Sequence, residues 1–180
     1  MENFTKLGNS TFAKMEKINS ELLALTYGSI VCQLVKDVEF TEGVNAQLVS
    51  MGRNIGLRLV DEVLANMGSI SCNDFRATVE AVAKIGLKMF LGINADVVAV
   101  PEEKDHYHIL FKDNPLDQFV ELPDNLSGLN YSNIICGVIQ GALEQLQIKV
   151  KCEFIKDVLK GHDSYVLSIK LMQAGNADDD

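Results

Sequence analysis

The chain has few cysteines and a deficit of positive charge, and both shortages narrow what it can do. Its four cysteines, Cys32, Cys72, Cys136 and Cys152, lie at least 16 residues apart, so none forms the close pair that binds zinc or supports a redox disulfide. The excess of 25 acidic over 16 basic residues gives a net charge of -9, which opposes binding to nucleic acid or to anionic lipid. We therefore expect no cysteine metal site and no nucleic-acid partner.

Signals of export, membrane insertion and nucleotide binding are also missing. The stretch MENFTKLGNS lacks the basic start and apolar run of a signal peptide, which favours folding in the cytosol. Two runs without charged residues are considered as membrane spans. Residues 22–35 are too short to cross a bilayer, and residues 125–143 contain too many Asn, Ser and Gln residues. The motifs G-x-G-x-x-G and G-x-x-x-x-G-K-[ST] do not occur, so the chain is not expected to bind a nucleotide.

The hydrophobic pattern predicts one domain over residues 18–172, between a flexible segment over residues 1–17 and an acidic tail over residues 173–180. Apolar residues at three- and four-residue intervals predict four helices, and two stretches of period two predict hairpins across PEEKD and KGHD. NPLDQFVELPDN is predicted to form a loop with a short strand. This order predicts an α+β domain whose antiparallel sheet is covered on one face by about four helices.

The first two predicted helices, near residues 18–38 and 44–67, are apolar on more than one face. Because one sheet face does not need that much apolar surface, part of it is expected to contact another protein chain. Gly52 and Gly56 predict the close approach of another helix backbone. Gly137 and Gly141 repeat this spacing in the last helix, near residues 131–147. They are expected to pack on the sheet or on the third helix, or to line part of a tunnel.

Cys72 stands where a loop of small residues leads into the third predicted helix. Ser71 and Asp74 match the capping pattern S-x-x-D, which predicts that Ser71 caps the helix and that Cys72 lies in its first turn. The partial positive charge of the helix end, with help from Arg76, would favour a thiolate there. The predicted helix ends at Gly92.

Cys72 also begins an apolar stripe whose members follow at intervals of three and four residues: Phe75, Val79, Val82, Gly86 and Met89. Gly86 leaves a gap in this stripe, so a groove about 21 Å long would run along the helix face from Cys72. A thin apolar chain attached to Cys72 fits such a groove, and fatty acylation is the matching chemistry. The alternative is that Cys72 is a small buried core residue and that Gly86 is a contact point for another helix.

His106 and His108 share one face of a predicted strand. No third ligand lies near them in the sequence, so we interpret both as exposed structural residues and expect no metal site. The acidic pair Glu102 and Glu103 falls between the strands of the predicted hairpin. We interpret that pair as a solvated tip.

Five stretches carry a family resemblance: LTYGSIVCQL, MGRNIGLRLV, FRATVEAVAKIGLKMFLGI, NPLDQFVELPDN and YSNIICGVIQGALE. Together they closely resemble the Bet-three-type core subunits of the transport protein particle (TRAPP) vesicle-tethering complex, from about Ile18 to Leu171. The resemblance implies an α/β plait with an apolar tunnel and no catalytic residues. It implies a scaffold subunit in transport from the endoplasmic reticulum to the Golgi, peripheral to both membranes, in an assembly that promotes nucleotide exchange on a Rab GTPase.

The resemblance also implies that Cys72 carries palmitate inside the tunnel, with no other cofactor. The implied partners are other small TRAPP subunits, bound through the first two helices, or a second copy when they are missing. Ser71 and Asn73 depart from the family pattern of a basic residue and a histidine around the cysteine, and without a neighbouring cation spontaneous acylation is disfavoured. Two alternatives stay open: an acyl-thioester carrier that uses Cys72, and a sensor of an apolar ligand.

Overall fold

Helices and hairpins follow one another in the predicted order. A computed structural model describes residues 2–68 and 72–172. The helices are α1 (Glu2–Lys14), α2 (Ser20–Asp37), α3 (Thr41–Met67), α4 (Phe75–Ala81), α5 (Leu87–Leu91) and α6 (Asn133–Gln145). The strands are β1 (Asp96–Ala99), β2 (His106–Phe111), β3 (Val150–Lys156) and β4 (Tyr165–Leu171).

An asparagine side chain and a glycine determine two of the helix ends. The Asn19 side chain accepts hydrogen bonds from the backbone N–H groups of Glu21 and Leu22, at 2.8 and 3.1 Å, and so caps the start of α2. Gly92 takes a left-handed conformation with φ of 69°, which ends α5 at the predicted stop. Within the described residues, no helix is long and apolar enough to cross a membrane.

The strands form one antiparallel sheet of four strands in the order β1-β2-β4-β3. Ile109 of β2 lies opposite Leu167 of β4, and Cys152 of β3 lies opposite Ile169 of β4. The predicted α+β class and antiparallel sheet are confirmed. The strand predicted within NPLDQFVELPDN is wrong, because this stretch runs as a loop into the 3₁₀ helix Asp124–Leu126.

The main hydrophobic core lies between the inner face of this sheet and the helices. Val31 of α2, Leu48 of α3, Val79 of α4 and Ile139 of α6 are buried in one cluster with Leu167 of β4. Removing this apolar surface from water is the dominant favourable term in folding, so the cluster holds the helices on the sheet.

Facing glycines allow α3 and α6 to cross closely. A Cβ atom at Gly52 would lie 2.8 Å from the backbone nitrogen of Val138, and one at Gly141 would lie 2.7 Å from the Cα atom of Arg53. The close helix neighbour predicted from Gly52 and Gly56 is therefore confirmed. Gly137 and Gly141 contact α3, not the sheet or the third predicted helix, because only a face of glycines admits the α3 backbone this closely.

Helix α1 occupies most of the segment predicted to be flexible. Its Phe4 is buried in a second hydrophobic cluster with Met67, Ile85 and Met89. Gly8 lies directly against the backbone carbonyl of Lys84, so α1 sits close to the helix that follows Cys72. The segment predicted to be flexible therefore contains a helix that packs on the domain, since a short amphipathic stripe gains a buried partner only in the folded chain. The predicted tail over residues 173–180 lies outside the described residues.

Candidate functional site

Cys72 lies in the loop that precedes α4. The Asp74 side chain accepts a hydrogen bond from the backbone N–H of Ala77 at 2.7 Å, which makes Asp74 the N-cap residue. Helix α4 therefore begins at Phe75, and the predicted placement of Cys72 in its first turn is wrong. Ser71, the predicted cap, lies outside the described residues. The predicted pattern failed because Asp74 caps the helix itself instead of reaching back to a cap before it.

A pocket with a volume of about 300 Å³ opens beside Cys72. Phe75 and Thr78 line it from the helix, and Ile148, just before β3, and Leu171, the last residue of β4, line it from one end of the sheet. Phe75, Ile148 and Leu171 are partly buried against the main core and form the apolar part of the pocket wall, whereas Asn73, Asp74 and Thr78 form its polar part. The sequence analysis missed Thr78, Ile148 and Leu171, and no spacing rule links positions 148 and 171 to position 72.

The electrostatics of the pocket disfavour a Cys72 thiolate. Although the residue is exposed as a whole, partial removal of its thiol from water raises the pKa of Cys72 above its ordinary value, and the Asp74 carboxylate raises it further. A hydrogen bond with the Thr78 side chain acts in the opposite direction. The predicted activation by the helix end and Arg76 is therefore wrong, because the thiol lies before the N-cap and beside a carboxylate.

The predicted stripe is divided along the helix. Residues Val82–Gly86 form a π-helical turn, in which the N–H of Leu87 bonds to the carbonyl of Val82. One extra residue rotates the following side chains by about 100° around the axis. As a result Phe75, Val79 and Val82 belong to the main core, whereas Met89 lies in the second cluster beside α1.

Gly86 faces open space. A Cβ atom built there would meet no atom within 4 Å, and its φ of −59° and ψ of −58° are ordinary helical values. The alternative in which Gly86 is a contact point for another helix is therefore wrong. Of the predicted lining residues the structure brings Phe75 to Cys72, and a continuous tunnel from Cys72 to Gly86 stays a prediction.

The polar residues of NPLDQFVELPDN and YSN form a buried network. The Asp117 carboxylate accepts hydrogen bonds from the Asn114 amide at 2.8 Å, the Ser132 hydroxyl at 3.3 Å and the Tyr165 hydroxyl at 2.9 Å. Burial raises the pKa of Asp117, and these donors partly offset that effect. The network ties the long loop after β2 to strand β4, so these two segments serve the fold and not the Cys72 pocket.

His106 and His108 lie on the face of β2 that points away from Ile109 and the main core. His106 bonds through Nε2 to the Ser168 hydroxyl at 2.8 Å and through Nδ1 to Glu103 at 3.0 Å, and Glu103 also accepts from Lys170 at 2.6 Å. The His106 side chain is 14% exposed, so its predicted exposure is wrong. Glu102 and Glu103 are exposed in the turn between β1 and β2, so the predicted solvated tip is confirmed. Among the described residues no group of His, Cys, Asp and Glu could hold a metal ion.

Comparison with known proteins places the chain in a family. Residues 23–170 match the family described as transport protein particle (TRAPP) component. A trafficking protein particle complex subunit 3 from Dictyostelium discoideum is 50% identical over 171 residues, covering 94% of this chain and 92% of the relative. Transport protein particle subunit bet3 from Schizosaccharomyces pombe is 45% identical over 168 residues, covering 93% and 91%.

A solved structure shows the same fold. The crystal structure of a trafficking protein particle complex subunit 3 from Naegleria fowleri, covalently bound to palmitic acid, superimposes with a TM-score of 0.82 and 48% identity. It covers 88% of this chain and 98% of the Naegleria chain. From the match over residues 23–170 and these identities, the chain belongs to the TRAPP component family.

Proposed function

We propose that this chain is a non-catalytic core subunit of a TRAPP vesicle-tethering complex and that it carries a palmitoyl group on Cys72. The observation that carries the proposal is the pocket beside Cys72, with its apolar wall, in a fold shared with the palmitate-bound Naegleria protein. The subunit would act in transport from the endoplasmic reticulum to the Golgi, in the cytosol and peripheral to both membranes. With its partner subunits it would contribute to nucleotide exchange on a Rab GTPase.

The pocket suits the first part of an acyl chain joined to Cys72 by a thioester. Phe75, Ile148 and Leu171 would contact the first methylene groups, because these side chains form the apolar wall next to the sulfur. The rest of the chain would continue along the helix toward the open space at Gly86. Each buried methylene contributes about 0.8 kcal/mol, so a chain held in this way would stay in place.

The same pocket argues against the acyl-thioester carrier. A carrier needs a reactive thiolate, whereas burial and Asp74 raise the pKa of the Cys72 thiol, and no cation contributes to that shift. A thiol of this kind transfers acyl groups slowly and retains one once it is formed. A structural lipid fits these properties better than a turnover intermediate does.

Intact-mass measurement on protein from a eukaryotic host tests the acylation. We expect the wild-type mass to exceed the sequence mass by one palmitoyl group, and Cys72→Ser to lose that increment while remaining folded, because Asp74 still caps α4. Cys32→Ser is the matched control, since Cys32 is also exposed, and it should keep the acyl mass. Wild-type protein without the acyl mass, or acyl mass that remains on Cys72→Ser, would contradict the proposal that Cys72 carries the palmitoyl group.

The proposed partner surface lies on α2 and the residues around it. Leu22 and Leu25 are each 62% exposed, and Ile18 just before the helix is 70% exposed. The three-residue spacing of Leu22 and Leu25 places them on one face of α2, and together with Ile18 they form an apolar patch that the chain itself does not cover. We propose that this patch binds a homologous small TRAPP subunit, or a second copy when that subunit is missing, across an interface of at least about 1,200 Å².

Charge substitutions separate this surface from other exposed apolar residues. The double variant Leu22→Asp, Leu25→Asp should stay folded, because both side chains are exposed, and should lose association in light scattering and co-purification. Ile155→Asp on β3, where the wild-type residue is 45% exposed, is the control and should keep its partners. Equal association of the double variant and the wild type would exclude α2 as the interface.

A further inference from the structure

The Thr78 side chain lies between two groups of the Cys72 site. Thr78 is 7% exposed and lines the Cys72 pocket one helical turn after the N-cap residue Asp74. Its hydroxyl donates a hydrogen bond to the backbone carbonyl of Asp74 at 3.1 Å, and its side chain lines the same pocket as the Cys72 thiol. Burial raises the pKa of that thiol, and hydrogen bonding by Thr78 partly offsets this rise. A hydroxyl has one proton, so it can donate to the carbonyl or to the sulfur but not to both.

The Asp74 carbonyl can release this hydroxyl without losing all its partners. It also accepts a hydrogen bond from the backbone N–H of Thr78 at 3.1 Å. While Cys72 is a neutral thiol, its S–H can donate to the Thr78 oxygen. Once the sulfur is a thiolate it needs a donor, and the Thr78 hydroxyl can turn to supply one.

We propose that Thr78 is a positioning residue for acylation of Cys72. Its hydroxyl turns from the Asp74 carbonyl to the sulfur when the thiol loses its proton, and holds the thiolate in the pocket toward the incoming acyl group. This role rests on the proposed function of Cys72 as the acyl site. After transfer the thioester sulfur is a poor acceptor, and the hydroxyl returns to the Asp74 carbonyl.

The transfer uses an acyl-coenzyme A thioester as the donor. The Cys72 thiolate attacks the carbonyl carbon of that thioester and a new carbon–sulfur bond forms. The bond from the carbonyl carbon to the coenzyme A sulfur then breaks with its electron pair. Coenzyme A leaves as a thiolate, and the proton lost by Cys72 passes to solvent, so no oxidant or reductant is needed.

The first test measures alkylation of Cys72 by iodoacetamide as a function of pH, in a Cys32→Ser background that removes the other exposed cysteine of the described residues. Thr78→Val should shift the pH profile upward and lower the rate near neutral pH by about three- to tenfold, while the rates converge at high pH. Thr78→Ser keeps the hydroxyl and should restore the wild-type profile. Thr11→Val, at a buried threonine of α1, is the matched control and should change nothing.

The second test measures acylation of the same proteins by a medium-chain acyl-coenzyme A, followed by intact mass. Thr78→Val should be slower by a similar factor and Thr78→Ser should not. The role of Thr78 would be overturned if the rates of alkylation and acylation are unchanged in Thr78→Val. It would also be overturned if these rates fall equally in Thr78→Val and Thr78→Ser, even if Cys72 is acylated in cells. A different outcome separates the two proposals. If both rates fall in Thr78→Val and recover in Thr78→Ser, but protein from a eukaryotic host carries no acyl group, the role of Thr78 is supported and the proposed function is wrong.

Discussion

Gly86 gives the sharpest test of whether an acyl chain runs along the helix from Cys72. The position has ordinary helical φ and ψ angles, and an added Cβ atom would meet nothing within 4 Å. Alanine and leucine can therefore enter without backbone strain. Alanine adds one small group, whereas leucine fills the space that the end of an acyl chain would use.

The expected stability change follows from this geometry. Replacing a mid-helix glycine by alanine removes conformational freedom from the unfolded chain, so Gly86→Ala should stabilise the protein by about 0.4 to 1 kcal/mol. In a chain of this size that corresponds to a rise in melting temperature of roughly 1 to 4 °C. Gly86→Leu should be near neutral or more stable, because its side chain also enters open space.

Gly52→Ala is the matched control, since it is also a glycine within a helix. Its new Cβ atom would collide with the backbone of α6, including the nitrogen of Val138 at 2.8 Å. Because backbone cannot move aside as a side chain can, this variant should lose about 1 to 3 kcal/mol. The contrast between Gly52→Ala and Gly86→Ala shows that the effect depends on the space at each site.

Melting temperature and intact mass are measured on the same preparations from a eukaryotic host. We expect Gly86→Ala to stay acylated and Gly86→Leu to be stable but to lack the acyl group, because leucine blocks the end of the chain. A strongly destabilised Gly86→Leu would show that this glycine packs against a neighbour. A stable and fully acylated Gly86→Leu would show that no acyl chain passes Gly86.

Two further predictions follow from the electrostatics. Asp74→Asn keeps an N-cap side chain, so the melting temperature should change little. It removes the carboxylate that, in addition to burial, raises the pKa of Cys72, so alkylation of Cys72 should be faster near neutral pH. An unchanged rate of alkylation would contradict the role of Asp74. Burial raises the pKa of Asp157, so its contribution to stability is fully present below the ordinary pKa and is lost as pH rises through the raised value. The melting temperature of Asp157→Asn relative to wild type should therefore increase between about pH 4 and pH 7, and a constant difference would rule this out.

Local spacing was enough for most of the helices and strands and for one contact between them. The change of period from three or four to two marked both hairpins, and the glycine pairs marked a close helix crossing, because these patterns depend only on neighbours in the chain. The segments that resemble TRAPP subunits also placed the chain in its family before the fold was known. These conclusions needed no information about which elements meet.

Tertiary structure decided the details of the candidate site. Ile148 and Leu171 reach Cys72 because the start of β3 and the end of β4 lie side by side next to the start of α4, across more than 70 residues of sequence. The π turn moves Met89 away from the stripe of Cys72, and α1 packs on the domain because Phe4 enters a buried cluster. Sequence periodicity assumes a regular helix and an isolated segment, so it cannot register an extra residue in a turn or a partner supplied by a distant element.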